Sequence, residues 1–272
     1  MIRLSQLRRI FFEKKNNLEQ ELNHVNQGQL LKLISLIDLT SLDNCDTESS
    51  IKKLVEKANS SCFGVYPAAV CAFANFGDLV RKNLNPSIKT AVVGSCFPSS
   101  QTLSAAKIAE ANLISQTAVD ELDIVINRGD FFDEKYDQIK NEISQIKQAL
   151  KEKTLKVILE TGDLKTEKSI KLAAELAIES GADFIKTSTG KTSQGASPDA
   201  VRWMCEVIKI HHINTGIKIG IKPSGGIKTI DDALVYHNII EEELGEDWLT
   251  PSLFRIGASS LYDQLKTVLL EK

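Results

Sequence analysis

The sequence predicts an α/β fold, a TIM (β/α)8 barrel with an extra N-terminal helix, and three observations carry this. Apolar, β-rich runs alternate eight times with longer segments of helical period, and no linker or low-complexity stretch divides them. Runs such as VILE (Val157–Glu160) and DIVIN (Asp123–Asn127) are nearly continuous in apolar residues, as parallel strands covered by helices tend to be. Glycine-rich loops follow the last two runs, where barrels commonly hold phosphate. A doubly wound open sheet is the alternative; the count of eight pairs and the position of those loops favour closure.

The strands are expected over Leu33–Asp38, Cys62–Tyr66, Lys89–Val93, Glu121–Asn127, Leu155–Glu160, Ala182–Lys186, Ile217–Ile221 and Leu253–Ile256. Helical period places helices over Glu48–Asn59, Pro67–Asn83, Gln101–Thr117, Phe131–Lys153, Thr166–Ser180, Ser197–His212, Thr229–Leu244 and Ser259–Leu270. Three of them open on recognisable caps: Thr166 before Glu167, Ser197 before Pro198 and Asp199, and Thr229 ahead of Asp231 and Asp232. Residues 1–30 read as an N-terminal helical extension and 31–272 as the barrel, a single domain overall.

Composition narrows the partner. The 272 residues are 42% hydrophobic and carry a net charge of −3, with a pI near 5.9. No apolar run reaches membrane-spanning length, and no basic, aromatic-laced patch suits nucleic acid, so a small molecule is expected. Five scattered cysteines (Cys45, Cys62, Cys71, Cys96, Cys205) lack CxxC spacing; they suit reduced thiols in the cytoplasm and give no metal signature. The basic start, MIRLSQLRRIFFEKKNN, has neither the apolar core nor the cleavage site of a secretory signal. Glu13, Glu19 and Glu21 count against a mitochondrial presequence.

Chemistry is expected at the C-terminal ends of the strands. Those ends carry Asp38, Asp123 with Asn127, Glu160, Lys186, Lys222 and the Gly257 turn. Side chains alternate across a strand, so Lys156 shares a face with Glu160, and Asp123 with Asn127. If those faces point inward, the barrel centre holds at least three lysines and two carboxylates. Burying such charges costs more than apolar packing, so a purely structural ion-pair network is the less economical reading. Lys186 and Lys222 fall on successive strands. An ordinary lysine, pKa about 10.4, is neutral in roughly one molecule in a few thousand at pH 7. A second cation and a dry wall disfavour the charged form and make the amine nucleophilic. One lysine as Schiff-base nucleophile, the other as its activator and Asp123 as proton shuttle form a coherent set.

An anion site is expected beside it. Gly220–Lys228 (GIKPSGGIK) and Arg255–Ser260 (RIGASS) put small residues where backbone N–H groups close on a ligand before a helix begins. Gly190 and Lys191 add a third side and a point charge. His24, His211, His212 and His237 have no metal spacing and read as surface or boundary residues. Cys62 and Cys96 read as packed thiols, and Trp203 and Trp248 as helix-packing residues.

At GADFIKTSTGK (Gly181–Lys191) together with GIKPSGG (Gly220–Gly226), the chain resembles the deoxyribose-phosphate aldolase family. The likeness runs from about Ile37 to Ser260 and includes IDLT (Ile37–Thr40), VYP (Val65–Pro67), ELDIVIN (Glu121–Asn127), LKVILETGDLK (Leu155–Lys165) and RIGASS. It implies a class I aldolase without metal or other cofactor. Such an enzyme reversibly cleaves 2-deoxy-D-ribose 5-phosphate to acetaldehyde and D-glyceraldehyde 3-phosphate, serving deoxyribonucleoside catabolism. By position it implies Lys186 as Schiff-base nucleophile, Lys222 as the lysine that lowers its pKa, and Asp123 as proton donor and acceptor through water. Asp38, Thr40 and Lys156 would line the pocket. Gly190, Lys191, Gly225, Gly226, Lys228, Gly257, Ser259 and Ser260 would hold the phosphate.

Two departures stand out. Lys228 occupies a position where the family often has arginine, so its contact would be a point charge, not a fork. The chain ends in LLEK, where some relatives carry a tail with a C-terminal tyrosine implicated in proton transfer. That step is then expected to use water and Asp123 alone, or turnover to be slower. A homo-oligomer is compatible with the sequence, and residues 1–30 are candidates to cap the barrel bottom or mediate assembly. A Schiff-base aldolase for a longer keto-sugar is the rival within enzymes. A catalytically silent sugar-phosphate sensor is the rival from another class.

Overall fold

The structure, a computed structural model, describes residues 26–271. Residues 1–25, which hold most of the expected N-terminal extension and His24, lie outside the described residues. Eight parallel strands run in the order β7-β6-β5-β4-β3-β2-β1-β8. They are β1 Ile37–Thr40, β2 Ala69–Phe73, β3 Lys89–Val93, β4 Glu121–Val125, β5 Thr154–Ile158, β6 Phe184–Lys186, β7 Gly220–Lys222 and β8 Ile256–Ala258. The two edges meet through parallel bridges, Ile221 with Phe254 and Ser224 with Gly257. Backbone N–H groups of Arg255 and Gly257 donate to the carbonyls of Ile221 and Pro223 at 3.0 and 2.9 Å. The sheet therefore closes into a TIM barrel.

The helices are α1 Gln27–Ser35, α2 Glu48–Asn59, α3 Gly77–Asn83, α4 Ser104–Ser115, α5 Arg128–Phe132, α6 Tyr136–Leu150, α7 Thr161–Leu164, α8 Glu167–Glu179, α9 Pro198–Thr215, α10 Ile230–Leu244 and α11 Ser260–Glu271. The three anticipated caps form: Thr166, Ser197 and Thr229 each accept a backbone N–H three residues on, and Thr229 closes a capping box with Asp232.

Alternation along the strands separates two apolar regions. Val70, Ala72 and Val92 face outward into the large core under the helices. Ala69, Cys71, Ala91 and Val93 face inward and pack with Leu42 in a smaller cluster inside the barrel.

Several boundaries differ from expectation. Residues of the first expected strand, Leu33 to Ser35, belong to α1, where Leu30, Leu33 and Ile34 form a buried helical face. The second strand is Ala69–Phe73, not Cys62–Tyr66; Cys62 and Val65 instead pair across a short antiparallel bridge. The helix expected from Pro67 therefore begins at Gly77. The segment expected as one helix, Phe131–Lys153, is two, α5 and α6. Strands seven and eight start three residues later than expected.

Candidate active site

Strand pairing builds the centre of the barrel. Asp123 on β4 stands beside Lys156 on β5, and Lys186 on β6 beside Lys222 on β7. Asp38 on β1 stands beside Gly257 on β8. Asp123 binds all three lysines: Oδ1 accepts from Lys156 Nζ at 2.8 Å, and Oδ2 accepts from Lys186 Nζ at 2.9 Å and Lys222 Nζ at 2.8 Å. Asp38 Oδ2 lies 2.5 Å from Lys222 Nζ and 3.7 Å from Lys156 Nζ. Asp38, Asp123, Lys156 and Lys222 are fully buried and Lys186 is 3% exposed.

Two further charges complete the set, and neither was singled out from the sequence. Arg255, one residue before β8, donates to Asp38 Oδ1 at 2.6 Å and to Glu121 Oε1 at 2.7 Å. Glu121, at the start of β4, also lies 2.6 Å from Lys156 Nζ. Arg255 stacks over the Phe184 ring, 5.7 Å from its centroid. Gly220 makes room for that ring, since a Cβ there would meet it at 2.3 Å. Arg255 falls in the expected eighth strand Leu253–Ile256 and opens RIGASS, a motif that the sequence reading uses for its small residues and not for its arginine.

Burial alone would raise the Asp123 carboxyl, but Lys156, Lys186 and Lys222 outweigh it and hold Asp123 well below the usual carboxylate range. Asp38 is lowered too, because Lys222, Arg255 and Lys156 overcome its burial. Burial would lower Lys222, yet Asp123 and Asp38 together raise it. Lys156 rises in the same way, under Asp123 and Glu121. Lys186 alone of the three goes down: burial lowers it most, Lys222 adds to that, and Asp123 only partly opposes them.

A cavity of about 410 Å³ opens above the cluster, and Lys186 is the cluster's one member on its wall. Thr40, Gly190, Lys191, Gly225, Gly226, Lys228, Gly257, Ser259 and Ser260 also line it. Asp38 and Lys156, expected on the wall, are packed behind it because their charges are spent on Arg255, Glu121, Asp123 and Lys222. Gly190, Gly225 and Gly226 have φ of 75°, 84° and 84°, the left-handed region that suits glycine. Gly257 lets β8 approach β7, since a Cβ there would sit 2.7 Å from Ser224 Cβ. Lys191 Nζ donates to the Leu42 carbonyl across the mouth.

Two residues expected at the centre turn elsewhere. Asn127 lies past the end of β4 and caps α5 by accepting the Asp130 N–H. Glu160 lies past the end of β5 and bonds the loop after β6. Cys71, by contrast, sits inside the barrel near the lysines, where burial raises its thiol. The helical reading of its segment had hidden it. Among the described residues no group of three or more His, Cys, Asp or Glu forms a metal-binding cluster.

A buried, lowered lysine facing a glycine-lined cavity is the arrangement of a Schiff-base enzyme, and comparison with known families decides which. Residues 32–263 match the family model described as DeoC/LacD family aldolase. The chain belongs to the DeoC/LacD aldolase family. This aldolase is 38% identical to the human deoxyribose-phosphate aldolase over 252 residues, covering 87% of this chain and 79% of the relative. The mouse deoxyribose-phosphate aldolase is 37% identical with the same coverage. The tetrameric deoxyribose phosphate aldolase of Aeropyrum pernix superposes with a TM-score of 0.70 at 25% identity, over 93% of this chain and 96% of that one. As an aldolase it is a lyase that makes and breaks carbon–carbon bonds.

Proposed function

We propose that this aldolase reversibly cleaves 2-deoxy-D-ribose 5-phosphate to acetaldehyde and D-glyceraldehyde 3-phosphate. The names of its human and mouse relatives support the substrate. The carrying observation is that Lys186, whose pKa is lowered, faces the glycine-lined cavity while its more cationic neighbours stay behind the wall.

In this reading the neutral Lys186 amine attacks the C1 aldehyde of the open-chain sugar, and loss of water gives a protonated imine. The C2–C3 bond then breaks as the C3 hydroxyl loses its proton and becomes the aldehyde of the departing fragment. The electrons of that bond pass to the imine nitrogen as an enamine, and D-glyceraldehyde 3-phosphate leaves. Protonation of the enamine carbon and hydrolysis release acetaldehyde and restore Lys186. Asp123 moves these protons through water, and Lys222 keeps Lys186 from holding its own proton too tightly. Gly190, Lys191, Gly225, Gly226, Lys228, Gly257, Ser259 and Ser260 hold the phosphate, with backbone N–H groups and two lysines supplying donors. Thr40 belongs to the pocket wall, and Asp38 and Lys156 support the charges behind it. The reading includes a homo-oligomer, supported by the tetrameric relative, and a reducing, cytoplasmic setting, supported by five free cysteines.

Intact mass after borohydride reduction with acetaldehyde tests the mechanism. A two-carbon adduct is expected on the wild type and not on Lys186→Ala. A folded wild type that gives no adduct sinks the Schiff-base reading and favours a silent sugar-phosphate sensor. Product analysis with deoxyribose 5-phosphate separates this substrate from a longer keto-sugar.

A further inference from the structure

Glu160 is fully buried, yet it touches none of the three central lysines. Its backbone is left-handed, φ 57° and ψ 62°. A residue with a Cβ holds that shape only where its surroundings impose it. What the turn achieves is a direction. It aims the carboxylate sideways from the end of β5 into the loop after β6.

There the carboxylate accepts the Thr189 N–H at 3.2 and 3.3 Å, the Thr189 hydroxyl at 2.5 Å and the Thr192 hydroxyl at 3.3 Å. Thr189 Oγ1 in turn accepts the Lys191 N–H at 3.0 Å. Arg128 Nη1 stands 3.8 Å from Glu160 Oε2, and the same guanidinium bonds Asp163 and the carbonyls of Pro98 and Ser99. A relay of Arg128, Glu160, Thr189 and Lys191 thus ties the loops after β3, β4 and β5 to the one after β6. Thr189, Gly190 and Lys191 all line the cavity.

We propose that Glu160 is a positioning residue for the anionic end of the substrate: it presets the Thr189–Thr192 turn so that this turn meets a phosphate already formed. The proposal rests on the sugar-phosphate reading above for its substrate. A loop held in shape before binding has less freedom to lose on binding, so the relay contributes affinity without touching the ligand.

The test compares wild type, Glu160→Gln, Thr189→Val and Thr189→Ser. The glutamine keeps the shape of Glu160 but has one acceptor oxygen, and valine removes the hydroxyl that serine keeps. For Glu160→Gln and Thr189→Val, KM for deoxyribose 5-phosphate rises about tenfold while kcat stays within about twofold. The Kd for inorganic phosphate, measured by calorimetry, weakens by a similar factor. The kcat/KM for unphosphorylated 2-deoxyribose and the yield of the acetaldehyde adduct do not change, and Thr189→Ser behaves as wild type. If Glu160→Gln does not fold, the valine and serine pair decides alone. Equal losses on phosphorylated and unphosphorylated sugars, or an unchanged phosphate Kd, overturn the proposal. So does a wild type that binds no inorganic phosphate. Glu160-dependent phosphate binding by a wild type that forms no imine would leave this role standing and sink the aldolase mechanism instead.

Discussion

Lys186 and Lys222 share one carboxylate oxygen, Asp123 Oδ2, at 2.9 and 2.8 Å. What distinguishes the two lysines is the second carboxylate, Asp38, which lies 2.5 Å from Lys222 Nζ and pairs with Lys222 and not with Lys186. In this cluster four cations, Lys156, Lys186, Lys222 and Arg255, face three carboxylates, Asp38, Glu121 and Asp123. The enclosed set therefore has one positive charge in excess, which a low-dielectric interior penalises. Lys156, Lys222 and Arg255 each reach at least two carboxylates, while Lys186 reaches Asp123 alone. Losing the Lys186 proton neutralises the set at the smallest cost in ion pairs.

Replacing Lys222 by leucine tests that account through the pH profile. Lys186 is lowered first by burial and then by Lys222, with Asp123 pulling it back up. Without Lys222, one force holding it down is gone and Asp123 has fewer cations to share. The Lys186 pKa rises, so less of it is neutral at any given pH. The acidic limb of kcat/KM moves to higher pH, and activity at pH 7 falls by about 10²-fold or more. Part of the loss returns in alkali. An acidic limb that stays in place would show that Lys222 does not tune Lys186.

Gly225 and Gly226 separate two effects of an added methyl group. Both have φ of 84°, so alanine at either position costs about 1–2 kcal/mol of backbone strain. Only at Gly225 does the new Cβ meet backbone, at 3.1 Å from Gly195 Cα. Gly225→Ala should therefore lower the urea midpoint more than Gly226→Ala and raise KM for the sugar phosphate more. Equal effects at the two sites would remove the Gly195 contact from the explanation.

How much of this was legible in the sequence depended on whether pattern or partner decides the outcome. The eight-pair alternation and the placement of Lys186, Lys222 and Asp123 at strand ends follow from local pattern, and strand pairing then brings those three together. The second strand did not follow. Ala68–Phe73 is apolar throughout, and a short apolar run fits a buried strand or a buried helix equally well. That one misreading hid Cys71 inside the barrel. Arg255 and Glu121 were illegible for a different reason: they are 134 residues apart, and only barrel closure makes them a pair. Glu160 was read as an inward strand residue because alternation carries it there; its left-handed backbone ends the strand at Ile158 and redirects it.

Arg255 makes the network a stability question as well. It is 4% exposed and satisfies Asp38 and Glu121 together. Arg255→Met leaves both carboxylates short of a partner in a dry site and should cost about 3–5 kcal/mol in urea unfolding. The double variant with Glu121→Gln should recover part of that loss, because it removes one of the stranded charges. A single variant as stable as wild type would mean that Lys156 and Lys222 neutralise both carboxylates unaided.

Acid should expose the same network from the other side. The carboxyls of Asp38 and Asp123 are lowered in the fold, both below the value of about 3.9 expected in the open chain. A group lowered by folding contributes stability in full above its unfolded pKa and loses it as pH falls toward the folded one. Lys156 and Lys222, raised by folding, contribute in full throughout the acid range and lose it only in alkali. The acid slope therefore belongs to the carboxylates. The urea midpoint should drop steeply below about pH 4. Asp38→Asn, less stable at pH 7 because Lys222 and Arg255 lose a counter-charge, should show a shallower acid slope, since one of the two lowered carboxyls of the barrel centre is gone. A slope unchanged in that variant would show that Asp38 is not one of the groups that set it.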